Sequence, residues 1–147
     1  MKFNSQNLKE LVSIYGPSGN ENKIREYIEE QIKDYVDEIT VDAMGNLIAR
    51  KKGDGKRVML AAHMDKIGWM VTDIDEKGFL RFTNIGGISP YTSLSQKVVF
   101  ENGTVGVISA EPIDDISKLK LSNMFIDIGV NSREEAEKNI NIGDVCI

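Results

Sequence analysis

Residues 57–62 read Arg-Val-Met-Leu-Ala-Ala, an apolar run with no polar alternation. A strand with one wet face alternates in hydrophobicity; a strand buried on both faces does not. "RVMLAA" therefore predicts a central strand of an α/β sheet, and such a strand needs cover on both faces. The upstream residues supply two helices for that purpose. Leu8, Leu11, Val12 and Tyr15 recur at helical spacing, with Asn4 or Ser5 as cap and Gly16-Pro17 as stop. Ser18 and Glu21 have capping-box spacing ahead of a second helix, whose apolar stripe is Ile24, Tyr27, Ile28, Ile32 and Tyr35. "EITVD" and "NLIARK" predict two strands joined near Ala43-Met44-Gly45. The basic stretch "ARKKGDGKR" flanks a Gly-Asp-Gly turn and reads as a solvated hairpin tip rather than a phosphate site.

After Gly68 the texture changes. "WMVTDID", "FLRFTNI", "QKVVFE", "TVGVISA" and "MFIDIGV" read as short strands. Turn signals such as Glu76-Lys77-Gly78 and Asn102-Gly103 separate them. Short strands at this spacing predict a compact β-barrel or sandwich. Ser132 and Glu135 open a small helix over about residues 132–139, and "GDVCI" reads as a strand just beginning. The chain thus reads as an α/β start followed by a β-rich part, with a break near residues 66–70.

Composition excludes several classes of function. A chain of 147 residues can bury a real core. Its net charge of -5 argues against a nucleic-acid surface. A single cysteine, Cys146, excludes an internal disulfide and an all-thiolate zinc site. No apolar run approaches the roughly 18 residues of a membrane span, and "MKFNSQNLKELVS" lacks the apolar core of a signal peptide. The expected setting is cytoplasmic, away from membranes.

The only histidine, His63, falls at the carboxyl end of the predicted central strand, where α/β folds place their ligand sites. Asp65 lies two residues on, and in extended chain such residues point the same way. A carboxylate bonded to one ring nitrogen fixes the tautomer of a metal-ligating histidine. The same spacing equally fits a partly buried histidine bonded to its neighbour, with no metal. Other candidates carry less. Asp73, Asp75 and Glu76 read as a solvated turn, and Asp114-Asp115 as a loop or helix start. Gly86-Gly87 has no phosphate-loop pattern behind it. Ser18 and Ser89 have no second histidine to activate them, so a serine hydrolase fails. Met64, Trp69 and Met70 read as core.

Five segments in order resemble a known family: "YGPSGNE", "VDAMGNLIARKKG", "VMLAAHMDKIGWMV", "GFLRFTNIGG" and "FIDIGVNSREEAEKNINIGD". Together they look like the N-terminal portion of the M42 metallo-aminopeptidases, the glutamyl-aminopeptidase-like enzymes, some of which carry an endoglucanase label. The resemblance implies that residues 1–66 begin an α/β peptidase domain, with helices on a mixed sheet. It implies that residues 67–147 form most or all of a β-rich, barrel-like inserted domain that contributes to oligomer assembly. The family site uses two divalent metal ions, zinc or cobalt, with a water-derived hydroxide between them. His63 matches one metal ligand, and Asp65 matches the acidic residue of the catalytic site that orients it. The remaining ligands and the general-base glutamate belong to the part of the domain that resumes after the insertion, outside these 147 residues. Lys66 stands where the family commonly has glutamate, which reverses a charge beside the site.

The expected function is therefore that of an N-terminal portion of a dinuclear metal aminopeptidase acting on peptides. These residues alone are expected to be inactive and to form a dimer or larger homo-oligomer. One alternative is a non-catalytic assembly module built on the β-rich part. A carbohydrate hydrolase ranks last, because it needs two carboxylates roughly 5–10 Å apart across a cleft and no such pair stands out.

Overall fold

Leucine and valine at helical spacing begin the fold. The computed structural model describes residues 5–147, so Asn4 as a cap lies outside the described residues. Helix α1 covers Ser5–Ser13 and α2 covers Asn22–Ile32. Gly16, between them, lies where any side chain would strike Ile24, since a Cβ there would sit 2.8 Å from the Ile24 side chain. Ile24 is 3% exposed at that contact. The Tyr27 hydroxyl donates to Glu10 at 2.6 Å and ties α2 to α1.

The predicted hairpin is present. Strands β1 (Glu38–Val41) and β2 (Leu47–Arg50) pair antiparallel, with Val41 opposite Leu47 at the turn. Asp42 organises that turn by accepting from the Met44 and Asn46 backbone N–H groups and from the Asn46 side chain. Arg25 of α2 donates to the Gly45 carbonyl at 3.3 Å, which sets the helix beside the turn. The basic stretch after β2 is folded back by charge: Lys51 pairs with Asp37, and Lys52 with Glu38.

Residues 57–62 depart from expectation. They form no strand, and Val58, Met59 and Leu60 are 82%, 87% and 93% exposed. The mixed sheet expected of this part is reduced, among the described residues, to the two-stranded hairpin. The physical reason is the lack of neighbours: a strand exists only through the ladder bonds it exchanges, and no strand flanks this run. The α1 stripe is likewise open, with Leu8 48% and Val12 59% exposed.

Beyond Asp65 the chain forms a second unit, beginning at Lys66. Its strands are β3 (Gly68–Ile74), β4 (Leu80–Ile85), β5 (Lys97–Val99), β6 (Val105–Ala110), β7 (Met124–Asp127) and β8 (Val145–Cys146), with short helices α3 (Pro90–Ser93) and α4 (Arg133–Ala136). The six strands form one antiparallel sheet in the order β5-β6-β7-β4-β3-β8. Its two edges meet: Phe100 bridges to Cys146, and Val99 and Ile147 exchange backbone hydrogen bonds at 2.9 and 3.1 Å. The segment read as a strand just beginning is the one that nearly closes a barrel. Closure removes the exposed edges that invite mispairing.

The barrel core is dense. Leu80, Val98, Ile108, Met124, Ile126 and Ile140 are each 0% exposed. Trp69 is in the core as expected, whereas Met64 and Met70 are only half-buried. A bulge interrupts the pairing of β3 with β4 between Val71 and Asp73. At the start of α4, Glu135 N–H donates to the Ser132 hydroxyl, while the Glu135 carboxylate accepts from Asn131. Among the described residues no helix is long and apolar enough to cross a membrane.

Candidate functional site

Residues 57–62 lack strand pairing, and the His63 ring is held by contacts to Asp65. Its Nδ1 lies 2.8 Å from Oδ1 of Asp65 and 3.2 Å from the Asp65 carbonyl oxygen. The other carboxylate oxygen of Asp65, Oδ2, accepts a hydrogen bond from the Ser18 hydroxyl. The Ser18 bond, and after it the His63 bond, hold the Asp65 carboxyl below its usual range. An ionised carboxylate can only accept, so the proton of this contact belongs to Nδ1. In the neutral ring Nε2 then carries the free lone pair, on a side chain that is 85% exposed. That is the arrangement a metal-ligating histidine requires.

Around this dyad lies a cleft of about 370 Å³. Residues 62–65 form one wall, Glu21 and Ile28 of the α2 region a second, and Met44 and Asn46 of the hairpin turn a third. The capping box expected at the start of α2 is not formed. Glu21 is the N-cap residue and makes no side-chain cap bond; its carboxylate instead accepts from Gly19 N–H at 2.7 Å. The Ser18 hydroxyl is committed to Asp65 and cannot cap.

The other sequence candidates fall outside this cleft and have structural partners. Asp75 accepts from the backbone of Lys77 and Phe79 and shapes its own turn. Asp73 and Glu76 pair with Arg133. Asp115 caps the short turn that begins at Ile116 by accepting from Ser117. The carbonyl of Ser89 accepts from Thr92 and Ser93 at the start of α3. Lys66 is half-buried, and burial lowers its ammonium below the ordinary lysine range.

As a metal site, this donor set fits one position. Among the described residues no group of three or more His, Cys, Asp or Glu side chains could hold a metal ion. His63 fits as a single ligand through Nε2, with Asp65 behind it. The sequence pattern pointed to this pair. It did not connect Ser18 to Asp65, 47 residues further on. The one local hint was the Pro-Ser-Gly turn, which fixes the serine's backbone.

The sequence profile of the M42 glutamyl aminopeptidases matches residues 45–147. The chain belongs to this family. An Acetivibrio thermocellus protein provisionally named an aminopeptidase is 59% identical over 95% of this chain and 42% of its own length. The lysyl aminopeptidase of Pyrococcus furiosus is 41% identical over 89% of this chain and 41% of its own. The solved structure of the Pyrococcus horikoshii TET1 peptidase superposes with a TM-score of 0.84 at 37% identity, covering 97% of this chain and 46% of that one. The M42 chain described here therefore spans less than half the length of these relatives.

Proposed function

We propose that these residues form the opening part of a metal-dependent aminopeptidase that removes N-terminal residues from peptides. The observation that carries the reading is the His63–Asp65 contact at 2.8 Å, which leaves the Nε2 lone pair free, within the segment matched by the M42 profile. His63 would hold one of two divalent ions, zinc or cobalt. When bound, such an ion would supply Lewis-acid polarisation of a scissile carbonyl and a more acidic bound water. Asp65 keeps the His63 proton on Nδ1 and fixes the plane of the ring. The cleft beside them offers Ile28 and Met44 as apolar surface for a peptide side chain.

A catalytic zinc takes about three protein ligands and a water, so turnover needs further carboxylate and imidazole donors beyond His63. The barrel of residues 66–147 serves assembly in this reading. Support comes from the Pyrococcus horikoshii TET1 peptidase, which can assemble into a tetrahedron or a large octahedral shell. The 147 residues alone are expected to retain far less than one zinc ion per chain after dialysis. They are also expected not to hydrolyse amino-acid p-nitroanilides with added zinc or cobalt. Stoichiometric retained metal with chelator-sensitive turnover would overturn this division of the site. In a longer chain carrying the same residues, His63→Ala is expected to empty one metal position, and Asp65→Asn to weaken it by roughly 10–100-fold.

A further inference from the structure

We infer that Ser18 is a positioning residue of this site: its hydroxyl locks the Asp65 carboxylate so that the other oxygen holds His63 in the metal-ready tautomer. The inference rests on the His63 reading above and extends it by one residue. The two oxygens of Asp65 are divided between two donors, Oδ2 accepting from Ser18 and Oδ1 lying 2.8 Å from His63 Nδ1. A carboxylate on a solvent-exposed segment otherwise turns freely about its last torsion, which has broad, two-fold preferences. With Oδ2 engaged, that rotation is stopped and Oδ1 stays on the imidazole.

Ser18 is itself exposed, so its place must come from the backbone. The segment is a tight turn closed by Asn20 N–H donating to the Pro17 carbonyl at 2.9 Å, with Pro17 fully buried. Gly19 adopts a φ of 92°, which L-residues with a side chain rarely accept. Its N–H is tied to Glu21 at 2.7 Å. The turn therefore presents the hydroxyl from a fixed base. Without it, the competing acceptor for Nδ1–H is the Asp65 carbonyl, at the longer distance of 3.2 Å. Imidazole free of such a partner favours the opposite tautomer, with the proton on Nε2, which cannot ligate through that atom.

The chain's single histidine makes the test direct. Long-range ¹H–¹⁵N correlation spectra of the metal-free 147-residue protein report which ring nitrogen carries the proton. Wild type is expected to show Nδ1 protonated and Nε2 bare. Ser18→Ala is expected to move the population several-fold toward Nε2–H, and Ser18→Thr to restore it. Ser18→Cys, nearly isosteric but a weaker donor, is expected to fall between, and it carries the comparison if alanine disturbs the α2 amides. A wild-type tautomer in folded Ser18→Ala or Ser18→Cys, or a threonine variant that behaves as alanine does, would overturn the role of Ser18. Asp65→Ala separates the two readings. If it shifts the tautomer while the Ser18 variants do not, only Ser18 falls; if it leaves the tautomer unchanged, the His63–Asp65 reading falls as well.

Discussion

Leu80→Ala, at the seam between β4 and β7, is expected to cost the barrel about 3–5 kcal/mol. These two strands share a single register pair, Leu80 opposite Ile126, and both side chains are 0% exposed. With so short a ladder, side-chain packing joins the strands more than backbone hydrogen bonding does. Truncation removes that packing and leaves a void in the buried cluster that also holds Val71, Ile108 and Met124, which are themselves 0–1% exposed. The cost is therefore set near the upper part of the range for leucine truncation. A unit of roughly 80 residues has a total stability of about 4–12 kcal/mol, so this one change removes a large share. Trp69, the only tryptophan, is 8% exposed in β3 and reports the transition by fluorescence. In urea the midpoint is expected to fall by about 2–4 M at a near-constant slope. Leu60→Ala, at a position 93% exposed, serves as control and is expected to stay within about 0.5 kcal/mol. A loss below about 1 kcal/mol for Leu80→Ala, with the slope unchanged, would refute a packing-held seam.

Burial pushes the Cys146 thiol up to about 12, so it is expected to resist thiol reagents until the barrel unfolds; rapid labelling of the folded chain would contradict its burial. The sign of the linkage is that of a raised pKa: the contribution is full below the ordinary thiol range and is lost as pH rises toward about 12. Asp42 is held below the usual carboxylate range, first by the Asn46 side chain and then by backbone N–H groups. The hairpin turn is therefore expected to persist above the ordinary aspartate range and to loosen only as pH falls through that lowered value. The amide shifts of Met44 and Asn46 follow this directly, and a turn that melts at or above the ordinary range would count against it. The exposed run at residues 57–62 is expected to drive self-association, and Val58→Lys with Leu60→Glu to reduce it. Light scattering over a dilution series checks this, with a concentration-independent wild-type monomer as the contrary result.

The barrel was legible in the sequence because each strand carries its own boundary. Gly78 and Gly103 adopt positive φ where turn glycines were expected, and the strands between such turns bury their alternate residues. Closure was not legible, since the pairing of β8 with both β3 and the end of β5 depends on residues far apart in sequence. The first unit was read less well. "RVMLAA" has the composition of a central strand, yet a strand's existence depends on partners that the run itself does not encode. The Ser18–Glu21 spacing matched a capping box, but a charge-assisted bond to a carboxylate is the stronger claim on the serine hydroxyl. The His-x-Asp spacing anticipated the His63–Asp65 contact, and only the fold could bring a serine from the first turn onto the second carboxylate oxygen.

The proposed role of His63 is to ligate a metal through Nε2 while Asp65 orients its ring through Nδ1. Zinc titrated into ¹⁵N-labelled protein, with both nitrogens of the single imidazole observed, tests it most directly. Nε2 is expected to move as zinc is added while Nδ1 keeps its proton, with the shift far from saturation at one equivalent and reversed by chelator. Loss of the Nδ1 proton on zinc binding, or an imidazole indifferent to zinc at any concentration the protein tolerates, would contradict it.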